Sequence, residues 1–322
     1  MRHLEPAITI LLLLATPLPA VAAEPKNEVV LKKAFVTKFK DRTSIEAKMI
    51  VRHSHKGANP VGEGSEDGDL HFSGESTNIG LPFVAEVVNA RQQGDAVKFI
   101  RDTAEFNKVH PNGMVSIKVL GAWRLWFEHP SKSQLQGGGN PFHPNNTNPD
   151  HSFEIHPVAT VGTFDVHGSF APISDKTVHP PNAFVAYPPD VAFPYFDKVE
   201  ILVKASNSAV TIRCKRIVYN YVQFVMELTQ KPKKVIDGYI VLARVTNDGG
   251  ESESDDEHRM IFVEGTDGAK AMSTAKSGDV FHVLGVPRID LSAISSLVTA
   301  NGTKQFSAKL PYEMIIVGIY PE

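Results

Sequence analysis

Three short stretches of this chain set carboxylates beside imidazoles: Asp67-Gly-Asp-Leu-His71, Trp123-Arg-Leu-Trp-Phe-Glu-His129 and His151-Ser-Phe-Glu-Ile-His156-Pro. On an extended strand, alternation projects Asp69 and His71 from one side while Leu70 and Phe72 face the other. It does the same for Glu154 and His156 against Phe153 and Ile155. With the two strands adjacent, four nitrogen and oxygen donors meet, a set that suits Zn²⁺ or a similar cation. Glu86, an isolated charge in Phe83-Val-Ala-Glu-Val-Val88, needs a partner and is a further candidate. Strict alternation puts His129 on the apolar side with Leu125 and Phe127, so it reaches the others only where a bulge or the strand end turns it. The metal-ligand candidates are therefore Asp69, His71, His129, Glu154 and His156. If the protein is an enzyme, Glu86 and Glu154 are the candidate catalytic carboxylates. Arg124 and Trp126 share the other side of their strand from Trp123 and are candidate ligand contacts, for an anion and for a sugar or base. The same spacing also builds a purely structural salt-linked network.

The elements that would position these residues have a period of two. Val115, Ile117, Val119, Trp123, Leu125 and Phe127 share one face of a long half-buried strand. Further strands are expected over Ala34–His53, Asp69–Ser73, Leu81–Val88, Phe153–Val161, Val199–Lys204, Val222–Leu228, Tyr239–Val245, Arg259–Glu264, Asp279–Leu284 and Tyr312–Tyr320. Helical spacing occurs over Asp95–Val109, and Asp290 is placed to cap a second helix beginning at Leu291. The expected fold is mainly β: two small barrels of the oligonucleotide/oligosaccharide-binding (OB) type with short helices, the alternative being a single β-sandwich. Prolines between Phe170 and Phe196 mark an extended connector. The expected layout is a signal peptide over 1–23, a first β domain over 24–165, the connector over 166–205 and a second β domain over 206–322.

Arg2 and His3, the apolar run Ala7–Ala15 and the small residues Ala20-Val-Ala-Ala23 follow the plan of a cleavable signal peptide. The apolar run falls short of the roughly 20 residues a spanning helix needs, so the expectation is an extracytoplasmic chain, periplasmic or secreted, with no membrane contact after cleavage. A single cysteine, Cys214, rules out an internal disulfide, and its strand setting reads as core. A net charge of −3 offers no broad basic field, which disfavours nucleic acid as the partner relative to a small molecule or another polymer. Gly-rich phosphate loops, a Gly-x-Ser-x-Gly elbow and a His-Glu-x-x-His helix are absent from the sequence. The Gly/Pro/Asn-rich stretch 136–150 reads as a lid or a surface loop, and Glu251–His258 as a solvated hairpin tip.

The succession Gly68-Asp-Leu-His71, Val84-Ala-Glu86, Val119-Leu-Gly121 leading to His129, and Glu154-Ile-His-Pro-Val158 resembles a widespread group of uncharacterised exported bacterial proteins. Members carry an Asp-x-His strand, an Ile/Val-x-Glu strand and a terminal Glu-[Ile/Leu]-His-Pro-Val strand in a small β domain. The resemblance spans residues 34–162 and implies that Asp69, His71, Glu86, His129, Glu154 and His156 belong to one constellation; no activity comes with it. The chain departs from the pattern in its Trp-rich strand and in the long loop before His151. Two functions follow as expectations: an exported β-rich binding protein with a metal or small-ligand site in its first domain, or a metal-dependent hydrolase acting on an anionic substrate such as a phosphodiester.

Overall fold

In the computed structural model, residues 27–59, 68–76, 78–129, 133–138, 143–171, 186–247, 249–254 and 256–320 are described. The expected signal peptide, Asp67, residues 172–185 of the proline-rich connector and part of the 136–150 loop lie outside them. The chain begins with β1 (Asn27–Lys32), α1 (Lys33–Phe39), β2 (Ser44–Ser54), β3 (Leu70–Glu75), β4 (Phe83–Val87), α2 (Gly94–Val109) and β5 (Ile117–Leu125). It continues with β6 (Gln134–Leu135), β7 (Phe153–Val161), β8 (Phe164–Asp165), α3 (Pro189–Phe196), β9 (Glu200–Ala205) and β10 (Ala209–Cys214). The last part holds β11 (Val222–Leu228), β12 (Lys233–Val235), β13 (Gly238–Thr246), β14 (His258–Val263), α4 (Asp267–Met272), β15 (Val280–Ile289), α5 (Leu291–Asn301), β16 (Phe306–Lys309) and β17 (Tyr312–Ile319).

Two closed five-stranded barrels result, which removes the single-sandwich alternative. In the first, β2, β3 and β4 form an antiparallel meander, α2 crosses over, and β5 and β7 complete the barrel through a parallel β4–β7 pair. The second repeats that order with β11, β13, β14, α4, β15 and β17, closed by a parallel β14–β17 pair. Apolar residues of alternate positions fill the interiors: Leu70, Phe72, Phe83, Ala85, Phe153 and Ile155 in the first, Met260, Phe262 and Met314 in the second. Gly121 lets β5 approach β7, since a Cβ there would lie 2.3 Å from the Pro157 carbonyl oxygen.

Several expectations are corrected. The Ala34–His53 stretch is not one strand: Phe35, Val36 and Phe39 bury one side of α1 before β2 begins. Within the expected connector, α3 has Pro188 and Pro189 at its start, where a missing N–H costs nothing, and β9 follows it. A third sheet, in the order β16-β9-β10-β1-β6, joins the chain's first described strand to residues 200–214 and 306–309. His258 is no part of a solvated tip; it is buried against Tyr312 and bonded to Ser254. Asp290 caps α5 as expected, accepting from the Ser292 and Ala293 amides. Cys214 is buried, which pushes its thiol up to about 12.

The barrels meet through reciprocal contacts. Arg124 pairs in register with Glu154 on β5 and β7, and Arg288 with Glu313 on the equivalent β15 and β17. Arg124 Nε donates to the Pro287 carbonyl at 3.0 Å, and Arg288 Nη1 donates to the Trp123 carbonyl at 2.9 Å. Each arginine thus binds the residue just before its counterpart, as in the self-complementary interface of a two-fold dimer. Asp237 adds a clasp, accepting from Arg42 Nε, both Ser44 donors and the Thr43 amide.

Candidate functional site

The polar residues of the three motifs line up on the outer face of the first barrel, opposite its core. They are buried all the same, with Tyr221 and Pro287 of the second barrel against His156 and Arg124. Asp69, Glu86, Arg124, His151, Glu154 and His156 are each at most 3% exposed. A continuous chain links them. Asn59 Nδ2 donates to Asp69, whose other oxygen meets His71 Nε2. His71 Nε2 is 3.2 Å from Glu86 Oε1, and Glu86 Oε2 is 3.0 Å from His156 Nδ1. His156 Nδ1 is 3.4 Å from Glu154 Oε2, and its Nε2 is 2.7 Å from the Tyr221 hydroxyl of the second barrel. Glu154 Oε2 accepts from Arg124 Nη1 at 2.6 Å, and Arg124 Nη2 donates to Glu128 at 3.0 Å. Glu154 Oε1 faces His151 Nε2 at 2.9 Å and His129 Nε2 at 3.8 Å.

All six residues expected in one constellation therefore converge, and so does Arg124. His129 reaches the row because β5 ends at Leu125, which frees it from strict alternation. Trp126 has no exposed face for a ligand: it is 2% exposed, edge-on to Phe196 of α3. Arg124 is likewise enclosed, so neither side chain presents a free binding surface. His151 was not among the expected ligands. Its signal was the i, i+3 spacing to Glu154, together with a position at the end of the loop that precedes β7. That loop lies on the same outer face, with the Asn146 carbonyl bonded to Ser73 Oγ and His143 to Glu75.

Burial alone would neutralise these groups, and mutual charge outweighs it. Against the burial penalty, the Glu86 and Asp69 carboxylates raise His71 well above its ordinary value, and Glu86 and Glu154 raise His156 to about 10. Against the same penalty, His156 and His71 hold Glu86 well below the usual carboxylate range, and Arg124 with His151 and His156 does so for Glu154. His129 moves the other way, lowered by burial and then by the neighbouring His151. His55, 5.0 Å from the His71 ring, is lowered by burial and by His71.

Three triads bring donor atoms within 4.8 Å of one another: Asp69–His71–Glu86, Glu86–Glu154–His156 and His129–His151–Glu154. These groups could hold a metal ion; the donor set favours nitrogen-and-oxygen coordination and does not single out zinc.

Three of these positions are apolar in the second barrel, while Glu154 and Arg124 have Glu313 and Arg288 as counterparts. The registers Ala85↔Ile155 and Met260↔Met314, with His71↔Glu86 and Ile240↔Ile261, equate His71, Glu86 and His156 with Ile240, Ile261 and Ile315. Burial matches too, half-buried at His71 and Ile240 and full at the other pairs.

A groove between β2, α2 and Pro144 gathers Arg52, Lys56, Arg101 and Lys108, but three of these are paired, with Glu75, Asp102 and Glu105. Among the described residues no helix is long and apolar enough to cross a membrane.

No protein family matches the chain, and no curated protein does. Among solved structures, it is similar to a murine DNA-binding protein bound to double-stranded DNA, at 11% identity, with 84% of this chain and 92% of that chain covered and a TM-score of 0.20. It is also similar to the single-stranded DNA-binding protein from Thermus aquaticus, at 9% identity, 87% and 91% coverage and a TM-score of 0.20. The architecture rests on the strand order above, and nothing about a ligand is taken from these likenesses.

Proposed function

We propose that this chain is an exported binding protein of two OB-like barrels whose first barrel holds a divalent metal cation in its His/acid row. One observation carries the reading: the second barrel fills His71, Glu86 and His156 with isoleucines at matched burial, so the fold and its interface do not require polar groups there. Buried charges are costly, and a row that the architecture can do without is better explained by something it binds. Binding is favoured over hydrolysis because Glu86 and Glu154 are enclosed and already engaged by imidazoles and Arg124, which leaves neither as a free general base. Export is supported by the layout of Arg2, the apolar run and Ala20-Val-Ala-Ala23.

The test is elemental mass spectrometry of the purified protein after incubation with Zn²⁺ and exhaustive buffer exchange. Near-stoichiometric metal is expected, and a folded, metal-free protein overturns the metal reading. N-terminal sequencing of secreted or periplasmic material, expected to begin after Ala22 or Ala23, tests export.

A further inference from the structure

The geometry points to His129, His151 and Glu154 as the cation-binding centre, a two-histidine, one-carboxylate half-shell for a borderline divalent transition cation, open to solvent beside His129. This rests on the metal reading above and moves the cation to one end of the row: the isoleucine replacements mark His71, Glu86 and His156 as dispensable to the fold, while His129, His151 and Glu154 have the lone pairs and the access to bind.

The choice follows from which lone pairs are left. The Pro149 carbonyl can only accept, so the 2.6 Å contact from His151 Nδ1 is an N–H donation. In the neutral ring that fixes the tautomer and turns the Nε2 lone pair toward Glu154, the arrangement in which a backbone carbonyl orients a metal-ligating histidine. Without a second proton or a cation, Nε2 and Glu154 Oε1 are two acceptors 2.9 Å apart. Arg124 occupies Glu154 Oε2, so Oε1 is the oxygen left for a metal. His129 stacks on His151 at 4.5 Å and 25° and adds a second imidazole nitrogen 3.8 Å from the same oxygen. Donors about 2.1 Å from a tetrahedral metal stand roughly 3.4 Å apart, and the two separations to Glu154 Oε1, 2.9 and 3.8 Å, bracket that spacing.

The other triads are less open. In the Glu86–Glu154–His156 triad the histidine is fully buried against Tyr221, and His71 is held between Asp69 and Glu86. His129 has a side chain 28% exposed, which supplies an entry path and faces any further coordination position toward solvent. Two nitrogen donors in three favour Zn²⁺, Co²⁺ or Ni²⁺ over Ca²⁺ or Mg²⁺, which take oxygen.

The test titrates the purified full chain with Co²⁺, following its ligand-field absorption, for wild type, His129→Ala, His129→Gln and His71→Ala. Thermal melts of the metal-free proteins establish that each is folded. One equivalent is expected in wild type, with affinity at least ~100-fold weaker in both His129 variants, the scale of losing a ligand rather than an outer partner. His71→Ala is expected to bind as wild type does. Retention in the folded His129 variants overturns this assignment; loss confined to His71→Ala moves the cation to the other end of the row and leaves the broader metal reading standing. Folded wild type that binds neither Co²⁺ nor Zn²⁺ overturns both.

Discussion

The two barrels carry the same arginine–glutamate pair at the same register, yet the charges respond in opposite directions. In the first, Arg124 is raised and Glu154 held well below the usual range, because charged neighbours outweigh burial. In the second, burial dominates: Arg288 is lowered and Glu313 raised. Arg288 also lies flat over Trp123, 3.6 Å from the ring centroid, a stacked packing for a guanidinium. The difference lies in the surroundings. Around Glu154 stand three imidazoles and a chain of carboxylates; the positions equivalent to His71, Glu86 and His156 in the second barrel are Ile240, Ile261 and Ile315. What holds the barrels together, two arginines each donating to the other barrel's backbone, is thus distinct from what the first barrel has in addition.

The largest effect should come from breaking the row at one member. Glu86→Ile alone takes from buried His156 and half-buried His71 the carboxylate they share, and a loss of about 3–5 kcal/mol in urea unfolding is expected. With His71→Ile, Glu86→Ile and His156→Ile together three of the linked charges go at once and Asp69 keeps Asn59, so the loss is expected to be smaller than in the single variant, below about 3 kcal/mol. A triple variant as unstable as the single one would mean that the barrels are not equivalent at these positions.

A smaller effect is expected from pH. His71 and His156 have folded values raised above an ordinary value of 6.5, so their contribution is complete below that value. It is lost as pH rises through the folded value, about 10 for His156. Glu86, lowered, contributes above its ordinary 4.5 and loses that contribution on acidification. Wild-type urea midpoints should therefore fall between pH 7 and 10, and the triple isoleucine variant should lack that part of the fall. Equal slopes would show that the row does not titrate with folding.

The smallest change sharpens the other side. Ile315→Val should cost about 0.5–1.5 kcal/mol, as for a buried methylene, with no added pH dependence between 6 and 10. A larger or pH-dependent loss would mean that Ile315 does more than pack.

The pairing of Asp69 with His71 and of Glu154 with His156 was legible, because strand alternation needs only neighbouring residues. The OB-type order was legible for the same reason, as a succession of short alternating segments. Other features were not. Phe35, Val36 and Phe39 have strand-like side chains, and they form a helix because packing overrides intrinsic preference. Arg124 and Trp126 read as candidate ligand contacts, while Pro287 of the second barrel and Phe196 of α3 pack against them. His151 precedes its strand, so no alternation marks it; its role depends on the Pro149 carbonyl and on Glu154.

By itself the sequence determined which residues share a face, that the chain is mainly β, and that a single cysteine leaves the core to hold it. Those are properties of periodicity and composition, set by contacts close along the chain. Only the tertiary structure decided that Asp69, Glu86, His129 and Glu154 meet, that a polar outer face is buried, and that the second barrel keeps isoleucines where the first keeps charge. Such facts depend on closing β4 against β7 and one barrel against the other, and pairings between residues far apart in sequence leave no local pattern to read.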